Sequence, residues 1–310
     1  MAFLFSREIQ QIIKRADTAR FISLVEKSVG NVKIKLLNEA EDTEMNLQER
    51  VKNLKTIVVK VGTSTLTYES GRLNLKRIER LAWVLADIKN QGKNVILVSS
   101  GAIGVGSVRL GFSERPKQIK AKQAAAAVGQ AVLMQIYQNF FNEYNQKVAQ
   151  VLLTKEDFKE GERVFNMTNT FETLMEYGVI PIVNANDTIS TFEIGFSDND
   201  RLSAEVAGLV GADLLLILSD IDCLYDKDPK NHIDAQRVPL VHKITEKIEQ
   251  MAGTNGSTFS TGGMSTKIAA GKICERNQID MVVANGEDPA IIHRILEGKE
   301  EGTFFALRQE

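Results

Sequence analysis

Little in this chain can carry thiol, redox or zinc chemistry. Its 310 residues include two cysteines, Cys223 and Cys274, and three histidines, His232, His242 and His293. The cysteines stand at no spacing that holds a metal, so both are expected as reduced thiols. No histidine adjoins a carboxylate or cysteine motif, and all three are expected to be surface or structural residues. A surplus of one charge is also missing. Thirty-eight basic and 40 acidic side chains leave a net charge of −2, which gives no electrostatic footprint for nucleic acid. No apolar run approaches the ~20 residues that a membrane span requires. Three common phosphate signatures are absent: there is no G-x-x-x-x-G-K-[ST], Gly101, Gly104, Gly106 and Gly111 miss the G-x-G-x-x-G spacing, and no H-R-D or D-F-G element occurs.

What is present is enough apolar residue for a core, 43% of the chain. The length allows one large domain or two small ones. Residues 1–44 alternate charge with apolar positions, and Phe5, Ile9, Ile12, Ile13 and Ala16 fit one helical face. Glu8, Asp17 and Glu26 count against an acid-poor transit peptide, and no continuous apolar stretch suggests a signal peptide. A helical extension of unknown role, joined through the acidic, polar residues 38–44, is the expectation, with the main domain over 45–310.

From Leu54 onward, apolar runs alternate with helical patterns. Strands are expected at Ile57–Val61, Val95–Val98, Val148–Leu153, Val179–Val183, Leu214–Leu218 and Met281–Val283. Helices are expected at Leu75–Lys89, Ala121–Tyr144, Phe165–Tyr177, Arg201–Leu209, Met264–Cys274 and Pro289–Leu296. Such alternation predicts an α/β fold with a mostly parallel sheet covered on both faces. In such sheets a ligand sits beyond the carboxyl ends of the strands. The polar runs fall at those ends: Lys60–Thr65, Ser99–Gly104, Asn184–Asp187 and Ser219-Asp220.

Two of the polar turns carry a lysine among Gly, Ser and Thr. Lys60-Val61-Gly62-Thr63-Ser64-Thr65 follows the first strand, and Ser260–Lys267 opens a helix-patterned stretch. Small residues let backbone N–H groups approach an anion, and each turn adds a cation. Two such cradles suggest a polyphosphate held between two halves of a site, hence phosphoryl transfer. Each feature alone has a plainer reading. Lys60 could be a solvent lysine, Gly262-Gly263 a helix entry, Asp198-Asn199-Asp200 a cap, and Asp187 a turn residue. Their joint occurrence at strand ends and helix starts is what weakens those readings.

The motifs in order are Lys-x-Gly-Thr-Ser at 60–64, Ser-Ser-Gly-Ala at 99–102, Ala-Ala-Ala-Ala-Val-Gly-Gln at 124–130, Leu-Leu-Thr at 152–154, Asn-x-Asn-Asp at 184–187, Asp-Asn-Asp-x-Leu-Ser-Ala at 198–204, Tyr-Asp-Lys-Asp-Pro at 225–229 and Gly-Gly-Met-Ser-Thr-Lys at 262–267. Together they strongly resemble the glutamate 5-kinase family of the amino-acid kinase superfamily, from about Leu54 to Phe305. The resemblance implies a three-layer αβα sandwich, with glutamate in the N-terminal half and ATP in the C-terminal half. It implies transfer of the γ-phosphoryl group of MgATP to the side-chain carboxylate of L-glutamate, the first step toward proline. A carboxylate is already ionised at neutral pH, so no general base is needed and catalysis reduces to alignment and charge stabilisation.

The roles implied by the resemblance follow by position. Lys60 and Lys267 would sit on the transferred phosphoryl and the leaving phosphate. Gly62 and Gly101 would offer backbone N–H groups, and Asp200 would orient the lysines. Ser100, Asp187 and Asn199 would hold glutamate. Ser219, Asp220, Thr261, Gly262, Gly263, Met264, Ser265, Thr266 and Lys267, with Lys60, would line the nucleotide pocket. Mg²⁺ would ride on phosphate oxygens and water, with no protein ligand. Ser197, Cys223, Thr168 and Ala185 depart from the family pattern, and loop geometry near Ser197 and Cys223 is in doubt where a glycine is usual. No C-terminal RNA-binding-like domain is expected. The resemblance further implies a cytoplasmic homo-oligomer, inhibition by L-proline through the loop that contains Glu193, and a glutamyl-phosphate reductase as pathway partner, with neither nucleic acid nor membrane involved. Two rivals stand beside it: a sibling kinase acting on acetylglutamate, aspartate or carbamate, and a sensor of the same fold without turnover.

Overall fold

The run Thr56–Val61 is buried at all six positions. A strand reaches that state only inside a sheet covered on both faces, and this strand, β1, lies in the middle of the main sheet. The computed structural model describes residues 47–68, 70–159, 161–189, 199–229, 231–253 and 263–309. Contacts divide the chain after Arg50. Of the first unit, residues 47–50 are described and are helical; the second, Val51–Glu310, carries the sheet.

After β1 come α1 (Thr63–Leu66), α2 (Leu75–Asn90), β2 (Asn94–Val98), α3 (Ala102–Arg109), α4 (Ile119–Glu143) and β3 (Val148–Leu153). A 3₁₀ turn at Lys155–Phe158 leads to α5 (Glu162–Glu176), β4 (Ile180–Ala185), α6 (Asn199–Leu209) and β5 (Leu214–Ser219). The short strands β6 (Leu224–Tyr225), β7 (Arg237–Val238) and β8 (Leu240–Val241) follow. The last elements are α7 (Glu246–Met251), α8 (Met264–Arg276), β9 (Asp280–Asn285), α9 (Ile291–Leu296) and β10 (Thr303–Phe305). The main sheet has eight strands in the order β3-β4-β2-β1-β5-β9-β10-β8, and β6 and β7 form a separate pair. Every pairing in the main sheet is parallel except β10 on β9. The expected α/β sandwich is therefore what forms.

The order of the strands explains where a ligand can sit. From β1 the chain lays β2 beside it, crosses to the edge strand β3, fills the gap with β4, and then lays β5 and β9 on the other side of β1. The loops leaving β1, β2 and β5 part at this reversal and open a crevice at the strand ends. Register places those ends level: Lys60 pairs with Val98 on one side and Ile217 on the other, and Val98 pairs with Val183.

The start of α3 lines the crevice, and α4 packs against α3 closely because glycines let the two helices touch. A Cβ on Gly106 of α3 would lie 1.7 Å from the Ala125 carbonyl oxygen of α4, and one on Gly129 of α4 would lie 1.8 Å from the Ala102 carbonyl oxygen. Only glycine fits at either position. The long α4 thus finds its partner in α3, which the sequence reading did not expect as a helix. The doubt about Cys223 also resolves. Among the described residues only Asn145 and Gln278 are non-glycines with positive φ, so a side chain at 223 is unstrained. Its buried thiol accepts a hydrogen bond from Arg237 Nε at 3.2 Å. Burial pushes the Cys274 thiol up to about 12, which leaves it inert. Ser197, Glu193 and the extension over 1–44 lie outside the described residues.

Candidate active site

A cavity of about 250 Å³ opens at the strand ends, lined in part by Lys60, Gly62, Ser100, Gly101, Asp187, Asn199, Ser219, Asp220 and Lys267. Each enters from a different piece of the fold. Lys60 is the fifth residue of β1, where its row neighbours are all apolar. Its side chain is 8% exposed and reaches Asp200 Oδ1 at 2.5 Å. Asp200 is the second residue of α6 and is 2% exposed at its side chain. Its other oxygen lies 3.2 Å from Lys267 Nζ, and Lys267, on the first turn of α8, is 1% exposed. Thr266 Oγ donates to the same oxygen at 2.7 Å, with the Gly263 carbonyl also in reach at 2.8 Å.

Two ammonium groups thus share one carboxylate in a nearly dry place, and the pKa values follow. Burial alone would raise Asp200, but the Lys60 and Lys267 ammoniums outweigh it and hold the carboxyl at about 2. For Lys267 burial wins: desolvation pushes its pKa below the usual lysine value although Asp200 opposes it. The cluster carries a net charge of +1 and faces the cavity. It suits an anion of high charge density that supplies the missing negative charge.

At the other end the polar groups are arranged for a small molecule with several functional groups. Asp187 is 8% exposed and lines the cavity after β4. Asn199, expected as a direct ligand, also has structural work: its Nδ2 lies 2.8 Å from the Ser99 carbonyl, 2.8 Å from Ser100 Oγ and 3.0 Å from Asn184 Oδ1. It fixes Ser100 as well as facing the cavity. Asn184 in turn donates to Gln130 Oε1 of α4 at 2.8 Å, so the buried amides form one chain of hydrogen bonds from α6 to α4.

The two glycines differ from the expectation in one respect. Gly101 has φ of +97°, which a side chain disfavours, and it caps the N-terminus of α3 beside the cavity. Gly62 has an extended backbone, and its N–H donates to the Leu218 carbonyl at 3.2 Å, continuing the β1–β5 ladder. That donor is occupied. A Cβ there would meet Lys60 Nζ at 3.7 Å, an ordinary contact, so the protein's own packing does not require glycine at this position.

Ser219 ends β5 and accepts the Ile221 N–H at 3.1 Å, so the turn into Asp220 is held at the cavity wall. Gly263, Met264, Ser265 and Thr266 form the entry and first turn of α8; Thr261 and Gly262 lie outside the described residues. Thr63, Ile103, Gly104 and Arg115 also line the cavity. Arg115 had no signal in the sequence, because nothing in a surface loop marks which ends of distant strands it will face. Among the described residues no group of three or more His, Cys, Asp or Glu converges. The donors at the cluster are cations, which fit phosphate oxygens rather than a bare metal ion.

Known proteins resemble this chain in sequence and in fold. The profile of the Amino acid kinase family matches residues 55–285. A Glutamate 5-kinase of Clostridium perfringens is 54% identical over 268 residues, 85% of this chain and 99% of that protein. One of Listeria innocua is 50% identical over 85% of this chain and 97% of its own length, and one of Carboxydothermus hydrogenoformans is 52% identical over 84% and 70%. Among solved structures, UMP kinase from Ureaplasma parvum superposes with a TM-score of 0.57 at 16% identity, covering 82% of this chain and 99% of that one. At that identity the likeness concerns the fold alone.

Proposed function

The chain belongs to the amino acid kinase family, and from that membership, its ~50% identity to glutamate 5-kinases and the geometry of the site we infer its reaction. It transfers the γ-phosphoryl group of ATP to the side-chain carboxylate of L-glutamate, giving glutamyl 5-phosphate at the head of proline biosynthesis. The nucleotide enters as its Mg²⁺ complex, and the ion offsets part of the triphosphate charge. The observation that carries the mechanism is the Lys60–Asp200–Lys267 cluster.

Two anions must approach each other, and the negative charge of the transition state spreads over the phosphoryl oxygens and the leaving group. Lys60 comes from the sheet and Lys267 from a helix start. This supports a role for one on each side of the transferred group, with Asp200 holding both so that no reorganisation is needed at the moment of reaction. The N-terminal end of α3 at Gly101 adds a partial positive charge. Asp187 suits the α-ammonium group and Ser100 the substrate's carboxylate oxygens. Ser219, Asp220 and the first turn of α8 suit the nucleotide phosphates. Hydroxamate trapping tests the reaction: glutamate with MgATP and hydroxylamine should give the γ-hydroxamate. No product from glutamate, with product from acetylglutamate or aspartate, would assign the chain to a sibling activity.

Regulation and context complete the reading. L-proline shares the α-carboxylate and amino group of glutamate and should inhibit, with the stretch from Asp187 to Asp200, which includes Glu193, carrying the sensitivity. An unchanged inhibition curve for Glu193→Ala would show that this stretch does not carry the sensitivity. The acyl phosphate hydrolyses readily, so a glutamyl-phosphate reductase is the functional partner, in the cytoplasm, and the kinase acts as a homo-oligomer. Residues 1–44 are an appendage to the kinase domain: a chain beginning at Met45 should fold and keep turnover. Among the described residues no helix is long and apolar enough to cross a membrane.

A further inference from the structure

The substrate end of the cavity leaves one group of L-glutamate without a counter-charge, and a third cation besides Lys60 and Lys267 stands on the cavity wall. This inference rests on the glutamate reading above. Glutamate carries a side-chain carboxylate, an α-ammonium and an α-carboxylate. The first belongs with the lysine cluster and the second with Asp187. For the third, the neutral donors nearby are largely committed: Asn199 Nδ2 serves the Ser99 carbonyl, Ser100 Oγ and Asn184 Oδ1, and Asn184 Nδ2 serves Gln130. Lys60 and Lys267 are held by Asp200. The remaining cation of the cavity wall is Arg115.

Arg115 sits on the loop between α3 and α4 and is solvent-exposed. It enters none of the ion pairs or hydrogen bonds formed among the described residues. Both ends of the loop are fixed: the Gly111 N–H donates to the Val108 carbonyl at 3.1 Å and the Phe112 N–H to the Ser107 carbonyl at 2.9 Å, while the Gln118 carbonyl accepts from the Ala121 and Lys122 N–H groups at 3.1 and 3.0 Å. Pro116 follows directly and restricts the backbone of residue 115 to extended conformations. A long side chain on a short loop held at both ends can swing its head onto a bound ligand. A guanidinium presents two parallel N–H donors that match a carboxylate. We propose that Arg115 is a specificity residue that clamps the α-carboxylate of the amino-acid substrate and thereby selects a dicarboxylic amino acid over a monocarboxylate of the same length.

Two substrate analogues separate this role from a general one. Glutamic acid α-amide and 4-aminobutyrate both keep the phosphoryl-accepting carboxylate and lack the α-carboxylate. Arg115→Met should raise the KM for L-glutamate by about 10- to 100-fold, the size of a lost charge-assisted hydrogen bond. Its kcat should stay within about threefold, because the clamp acts on binding that persists through the reaction. The KM of the α-amide should not change, so the preference for glutamate collapses. Arg115→Lys should recover part of the loss. An exposed loop position keeps the fold, which an unchanged thermal midpoint verifies. An unaltered KM for glutamate in Arg115→Met, or an equal rise for glutamate and the α-amide, would overturn the proposal while leaving the kinase reading in place. A wild-type protein that forms no hydroxamate from glutamate would instead overturn the kinase reading itself, and the proposal with it.

Discussion

Charge counting at Asp200 separates three substitutions that a list of site residues would treat alike. With both lysines present the buried cluster carries one positive charge in excess. Lys60→Ala or Lys267→Ala leaves a neutral pair, so the fold should hold while turnover falls by ~10²–10³, the typical cost of one preorganised stabiliser. Asp200→Ala leaves two ammoniums in a dry place and should cost ~3–5 kcal/mol of stability as well as activity. Steady-state kinetics beside a urea melt distinguish the cases; a Lys267→Ala protein as unstable as Asp200→Ala would show that the count is wrong. pH reads the same cluster. Asp200 is held at about 2 against an ordinary 3.8, so its contribution is complete above the unfolded value. It is lost as pH falls from about 4 to about 2, on the order of 2 kcal/mol in all. A carboxyl ¹³C titration should find Asp200 still ionised at pH 3. On the alkaline side, the lowered pKa of Lys267 should make kcat/KM of the free enzyme decline with an apparent pKa below 10.5. A decline only above that value would mean that burial does not govern Lys267.

The element that decides the shape of the site is α3, and its own sequence argues against it. Gly104 and Gly106 lower helix propensity by roughly 1 kcal/mol each. What stabilises α3 is α4, whose Gly129 lies under the Ala102 carbonyl oxygen. The same closeness fixes Gly101 and the start of α3 at the cavity wall. Gly129→Ala would drive a methyl group into that oxygen at 1.8 Å, so the helices must part. An overpacking cost of ~1–3 kcal/mol is expected, with a drop in kcat because the helix end moves although no catalytic side chain has changed. Thermal melts and turnover should fall together. Wild-type values for both would mean that the crossing tolerates a methyl group and does not position the site.

Across the whole molecule, the site joins elements from β1 to α8, so occupying it should stabilise everything it touches. Saturating MgATP at about a hundred times its Kd contributes ~2.7 kcal/mol by mass action, a rise of roughly 5 °C in Tm for a body of this size. Lys267→Ala should show a much smaller rise. An equal rise in both proteins would place the triphosphate away from α8.

By itself the sequence determined the alternation of buried runs and helical patterns, because strands covered on both faces must be apolar throughout and covering helices must be apolar on one side. It also marked Lys60, Ser100, Asp187, Asp200, Ser219 and Lys267, since strand ends and helix starts are where an α/β fold presents its ligand groups. Tertiary structure decided what propensity and pattern could not. The reversal of strand order at β1 brings Lys60 and Asp200 to 2.5 Å although 140 residues separate them. Glycine-to-helix contact makes α3 a helix despite its composition. Pairing with β5 takes the Gly62 N–H out of use, and the α3–α4 loop turns Arg115 onto the cavity wall. Each depends on which distant segments meet, and local sequence carries no record of that.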